Sequence, residues 1–329
     1  MWLLLLLNLL ALIANILFGS VSIPWSELLD PRWHFIVFES RLPAAITAAL
    51  TGASLGVCGL LLQSYFRNPL AGPSILGITS GANLMVAIVT LAGSSAAGYG
   101  ALSLGFDTSL VLAALIGSFA VLALLLFLGR YVRNHVTLLI VGILLSYLTS
   151  AAITLMGYYA TANGVQSLML WGMGNFNSVG LTGLWLFIPL TLVGLLISAF
   201  LIKPLNGWML GEVSARNLGI NVSRTRHLLL FITGLLSAVT TAWCGPIAFV
   251  GLAMPHVARL ICRTDDHRRL LPTSLLCGAL AAKGSKANAR KLAQQACNAK
   301  EDVADKFVWY AIPDANRVKL ILEEHIGLN

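Results

Sequence analysis

The sequence predicts an all-α fold, a polytopic bundle of transmembrane helices. Three observations lead there. The 329 residues are 57% apolar and only 10% charged, against about 25% charged in an ordinary soluble domain. The mean hydropathy is +0.83. Apolar runs near the length that carries a helix across about 30 Å of hydrocarbon, about 20 residues, recur along the chain with arginines between them.

The first run, 1–18, has no basic segment before it and a poor cleavage site after it, so it is expected to stay as a span rather than leave as a signal peptide. Runs at 44–65, 75–93, 108–128, 136–159, 180–202 and 227–244 follow, each mostly apolar. The eighth, 246–262, is short and is joined to the seventh by Gly245-Pro246, which predicts a tight turn or a broken helix. A ninth, Leu270 to Ala282, has 13 residues and stops at Lys283. As a helix it reaches about 20 Å, so it is expected to stop short or re-enter unless other helices shelter it. That leaves eight clear spans and a truncated ninth. Gly52-xxx-Gly56 and Gly77-xxx-Gly81 would let helices approach closely, the usual packing device inside a bilayer.

The basic residues orient the bundle. With the N-terminus inside, inner loops carry Arg67, Arg130, Arg133, Lys203, Arg216, Arg224, Arg226, Arg259, Arg263, Arg268 and Arg269, while outer loops carry Arg32 and Arg41. Eleven against two predicts a cytoplasmic N-terminus. The net charge of +8 comes from these scattered residues and from a polar tail; a nucleic-acid binder would gather them on one face, so no nucleic-acid partner is expected.

Catalysis is not expected either. The spans carry no central carboxylate, the common mark of proton relays and ion-coupled pumps. The five cysteines form no CxxC pair, and no phosphate-binding loop, nucleophile elbow or HExxH motif is present. No catalytic, cofactor-binding or metal-ligating residue is therefore assigned. His256, in Pro255-His256-Val257-Ala258-Arg259, reads as a helix-end histidine with a local hydrogen bond. The longest inner loop, 203–226, carries glycines at 207, 211 and 219 around a short helical stretch. Composition alone makes it equally a docking surface or a solvated connector.

Its motif decides between them. Leu210-Gly211-Glu212-x-x-Ala215-Arg216-x-Leu218-Gly219 resembles the coupling segment of FecCD-type permeases, the membrane subunits of ABC importers for iron-siderophores, haem and cobalamin. Further matches follow in order: Arg41-Leu42-Pro43; Gln63-x-x-x-Arg67-Asn68-Pro69 with Gly77 and Gly81 beyond it; Trp171-x-Met173-Gly174; Gly245-Pro246-Ile247; Pro255-His256-x-x-Arg259; and His267-Arg268. The resemblance covers about residues 1–280, the expected permease domain.

It implies a permease, not an enzyme, in the bacterial inner membrane. A second permease copy would complete the pathway, two cytoplasmic ATPase subunits would hold ATP and magnesium and grip residues 210–219, and an extracytoplasmic binding protein would deliver cargo. An iron-siderophore is the first expectation, with haem or cobalamin as alternatives. Arg41 would dock the binding protein, while Arg67, Asn68, Pro69, Gly77, Gly81, Gly245, Pro246, Pro255 and His256 would shape the pathway and its packing. The family has ten spans. From Lys283 the chain turns lysine-rich and polar, so residues 281–329 are expected to be a polar, helical tail that departs from the family. A secondary transporter or channel, and a truncated or fused permease unable to transport, are the competing readings.

Overall fold

The computed structural model describes residues 2–17, 35–92, 106–131 and 135–298. Gly19 to Pro24, Arg32, Arg133 and the tail beyond residue 298 lie outside the described residues. Within them the chain is an all-helical bundle: α1 (Trp2–Leu17), α2 (Leu42–Phe66), α3 (Ile78–Ala87), α4 (Phe106–Tyr131), α5 (His135–Tyr159), α6 (Ala162–Gly172), α7 (Leu181–Ser198), α8 (Ile202–Met209), α9 (Glu212–Asn217), α10 (Val222–Cys244), α11 (Val250–Cys262) and α12 (His267–Asn298). Each of the eight expected runs coincides with a helix. Five of these are long and apolar enough to cross a membrane; those at 2–16, 78–91 and 250–262 are shorter.

α2 sits at the centre, with α12, α11, α10 and α7 packed around it. Its sequence is apolar or small all round, as a helix enclosed on every side requires. Lipid is as apolar as leucine, so close packing must hold such a bundle together, and glycines supply it. Gly52 meets Gly278 backbone to backbone, and Gly56 lies against Ser274, whose hydroxyl donates to the Gly56 carbonyl at 2.9 Å. Gly59 abuts Gly251, Gly81 abuts Gly117, and a Cβ on Gly77 would stand 2.9 Å from the Gly142 carbonyl. Both glycine pairs picked out in the sequence therefore mark helix crossings. Buried Thr233, Thr240 and Thr191 return their hydroxyls to the carbonyl four residues back, at 2.8 Å each, which satisfies them without a partner helix.

Gly245 and Pro246 break the chain between α10 and α11 as expected. Gly245 takes φ +72 and Gly174 takes φ +71, and the two turns interlock: Asn175 N–H donates to the Cys244 carbonyl at 2.7 Å. Pro255 lies buried inside α11, beside Gly59.

The ninth run meets the sheltered case of the expectation. The helix runs on past Lys283 to Asn298. Lys283 is buried, with Nζ donating to the Asn8 carbonyl at 3.2 Å and lying 3.5 Å from Asn8 Oδ1. The shelter is α1. Asn8 Nδ2 donates to the Leu276 carbonyl at 3.0 Å, and Asn15 Nδ2 to that of Lys283 at 3.4 Å. Equal steps along both helices make α1 and α12 parallel. Asn8 thus gives the lysine ammonium polar partners that hydrocarbon lacks, and Asn15, two turns on, ties the Lys283 backbone to α1.

Candidate functional site

While Gly174 and Gly245 meet at the opposite end of α10, residues 210–219 gather with Arg67, Asn68, Pro69, His256 and Arg259 at the arginine-rich end of the bundle. There α8 and α9 form a short bent arm between α7 and α10. Gly211, at φ +110 and ψ 154, turns the chain between them in a conformation open to glycine. Its carbonyl accepts from Ala215 N–H at 2.8 Å. Gly219, at φ +79, ends the arm, and Asn221 caps α10 by accepting from Arg224 N–H at 3.0 Å.

The arm has an inner and an outer face. Leu205, Trp208 and Ala215 are buried against the bundle. Leu210, Val213 and Leu218 are exposed at 67%, 73% and 62%, and Arg216 and Glu212 pair beside them at 2.6 Å. Such an exposed ion pair contributes roughly 0–1 kcal/mol. What the arm offers outward is three apolar side chains, Val213 on a helix too short to stand alone and Leu210 and Leu218 just before and after it.

The last turns of α2 hold this arm and its neighbours. Trp208 Nε1 donates to the Tyr65 carbonyl at 3.1 Å and its ring stacks on Tyr65 at 5.2 Å. Arg67, in a left-handed cap at φ 48, donates to the Trp208 carbonyl at 2.5 Å. Gln63 accepts from Arg259 at 2.6 Å and donates to the Leu252 carbonyl at 3.0 Å, which ties α11 to α2. Asn68 Oδ1 accepts from Leu70 N–H at 2.9 Å, shaping the turn through Pro69.

One sequence expectation changes here. His256 bonds across the fold, its Nε2 3.0 Å from the Pro69 carbonyl, and not locally. Arg41 is 3% exposed, with Nη1 donating to the Ile16 carbonyl at 2.8 Å. A guanidinium so placed fastens the end of α1 to the start of α2. Substitution there acts on packing first.

Sequence reasoning left four polar residues out of the site. Asn206 Nδ2 donates to Asp266 Oδ1 at 2.6 Å, and its Oδ1 accepts from His267 N–H at 2.9 Å. His267 Nδ1 lies 2.7 Å from that same oxygen, and Nε2 lies 2.7 Å from Ser64 Oγ. Asn206 Oδ1 can only accept, which puts a proton on Nδ1; with the ring kept neutral by burial, Nε2 accepts from the serine. Asp266 is held below the ordinary carboxylate range by the Arg268 N–H and the Asn206 amide. Burial, then nearby Arg259, lowers His267 from 6.5 to about 4, against the weaker opposing pull of Asp266 and Asp265. The signal available in the sequence was a polar residue inside each motif: Ser64 after Gln63, Asn206 before Gly207, Asp266-His267 before the apolar run.

A histidine whose folded pKa is depressed stabilises the fold fully above pH 6.5, and that stability fades as pH falls through about 4. The upper bound is about 3 kcal/mol. Thermal unfolding of the detergent-solubilised protein should therefore worsen between those pH values, and His267→Gln should flatten that slope. An unchanged slope in the variant would contradict a neutral His267.

Among the described residues no group of histidine, cysteine and carboxylate side chains could hold a metal ion. What the site presents is a bent arm with exposed apolar side chains, bonded at its root to the central helix of the bundle. The chain belongs to the FecCD transport family, which matches residues 5–297 and so runs past the change in composition at Lys283. The vitamin B12 import system permease protein BtuC of Klebsiella pneumoniae is 37% identical over 289 residues, covering 87% of this chain and 83% of that protein. BtuC of Escherichia coli O6:K15:H31 is 37% identical over 286 residues, covering 85% and 83%. A solved metal-chelate type ABC transporter in an inward-facing conformation superposes with a TM-score of 0.79 at 29% identity, covering 98% of both chains.

Proposed function

We propose that this chain is the membrane permease of an ATP-driven importer of cobalamin. The observation that carries the reading is the arm: Leu210, Val213 and Leu218 stand exposed on a glycine-hinged segment whose root is bonded to the core. The identity to B12 import permeases supports cobalamin as cargo in place of the siderophore first expected. The superposition on a metal-chelate transporter favours an iron chelate as the second reading.

In this mechanism ATP and magnesium sit on two cytoplasmic ATPase subunits. Each grips residues 210–219, and the chain itself binds no cofactor. The N-terminus and the arginine-rich end face the cytoplasm, and an extracytoplasmic binding protein supplies cargo. A second permease copy closes the pathway against α5. There Leu144, Tyr147, Leu148, Leu155, Tyr158 and Tyr159 form an exposed stripe at helical spacing. Few charges line such a path, so a bulky chelate passes as the two bundles switch between packings.

A bacterial strain lacking its own permease, given this chain with its ATPase and binding protein, should grow on limiting cobalamin. Growth restored by ferric siderophores or haem but not by cobalamin would assign the cargo to the other branch.

A further inference from the structure

Residues 210–219 can drive transport only if their movement reaches the helices that line the path. The arm is short and glycine-bounded at Gly211 and Gly219, so something must keep it from swinging idly. Its apolar underside gives contact but little direction. Directed connection needs hydrogen bonds that hold in a buried place, where a broken bond is left without water.

Asn206, half-buried, supplies the first link. It lies on α8, outside the exposed face at 210–219, and its amide is fixed at both ends. Asp266 accepts from Nδ2–H, and both the backbone N–H and Nδ1 of His267 converge on Oδ1. The buried bonds lie beyond it. The His267 ring then crosses to Ser64 on α2. His267 is 1% exposed and Ser64 5%. One rigid ring thus joins the arm, the first residue of α12 and the last turns of α2. Capping alone does not call for this. Asp266 already serves the start of α12 by accepting from Arg268 N–H at 3.0 Å, yet the helix draws a second acceptor from α8.

Resting on the function proposed above, we infer that Asn206, His267 and Ser64 form a latch in series that passes displacement of the docking arm to α2 and α12. They are positioning residues; none needs to touch cargo or nucleotide. A push on α8 carries Asn206, which pulls His267 and α12 by two bonds and α2 through the serine. The neighbouring ties, Arg67 to Trp208 and Trp208 to Tyr65, hold the arm to α2 but do not reach α12.

The test uses the full chain with its ATPase and binding protein in proteoliposomes, reading radiolabelled cyanocobalamin taken up per ATP hydrolysed. Asn206→Ala and His267→Ala should each keep ATPase co-purification and lower that ratio about tenfold or more, and the double variant should be no worse than either. His267→Asn keeps a donor toward Asn206, and His267→Gln an acceptor toward Ser64; each breaks one link, so both should uncouple. Asn206→Asp sets two carboxylates together and should fail. Adding Asp266→Asn reverses the amide–carboxylate pair and should restore the ratio. Variants that lose folded yield and co-purification while the ratio stays normal would show a structural role and overturn the latch. So would single effects that multiply in the double variant. A wild-type chain that captures no ATPase overturns the proposed function and the latch with it; a working wild type with unaffected variants overturns the latch alone.

Discussion

Gly211→Arg is expected to leave the chain folded in the membrane and to abolish its hold on the ATPase. At φ +110 and ψ 154 Gly211 occupies a conformation that residues with a Cβ adopt under strain of about 1–3 kcal/mol. Relief of that strain would rotate α9 about its root. Ala215, fully buried, and its bond to the Gly211 carbonyl would be displaced, and the exposed Leu210, Val213 and Leu218 would be reoriented with it. The bundle itself has no stake in this conformation, because a side chain at Gly211 would meet little beyond Ser214 Oγ at 3.9 Å. ATP-driven uptake should fall by at least about a hundredfold, corresponding to about 2.7 kcal/mol of lost interaction. Membrane-extracted yield should stay near wild type. Co-purification of the ATPase at undiminished yield would refute the role of the arm.

Gly278→Leu is expected to do the opposite and prevent the bundle from forming. A Cβ at Gly278 would run into the Gly52 carbonyl, and one at Gly52 into the Gly278 carbonyl and the Ala282 side chain. The obstacle is backbone, which cannot turn aside as a side-chain tip can. Overpacking of a well-filled core costs typically 1–3 kcal/mol, and more where nothing yields. Here α2 would be forced away from α12 along its length, and Ser274 would lose the Gly56 carbonyl. Size-exclusion chromatography in mild detergent should show aggregate in place of a single folded peak. Gly157→Leu, at a position with nothing within 4 Å of the added carbon, should elute normally. Equal behaviour of the two variants would mean that the glycine crossings do not hold the bundle.

What could be read from the sequence followed the physics of each feature. The spans were legible because hydrocarbon imposes length and apolarity on any helix that crosses it. The arm was legible because glycines at 211 and 219 bracket a motif, and the break at Gly245-Pro246 because neither residue continues a helix. The fate of Lys283 was not. Its ammonium is met by Asn8, more than 260 positions away, and an asparagine in an N-terminal apolar run gives no sign of what it will face. The burial of Arg41 was not legible for a related reason: an outer arginine reads as a surface charge until a helix end is found beside it. The latch was hidden because Ser64 stands inside an apolar span, Asn206 in the inner loop and His267 in a separate matched motif, and the three become a site only through tertiary contact.

The central claim is that ATP turned over by a partner at residues 210–219 drives a cobalamin inward through this bundle. Its most direct test is uptake of radiolabelled cyanocobalamin into proteoliposomes holding the chain and its ATPase, with binding protein added at the side away from the ATPase. Uptake should require ATP, persist without a proton gradient, and vanish with Gly211→Arg. Uptake that ignores ATP and collapses when the proton gradient is discharged would contradict the account and make the chain a secondary transporter.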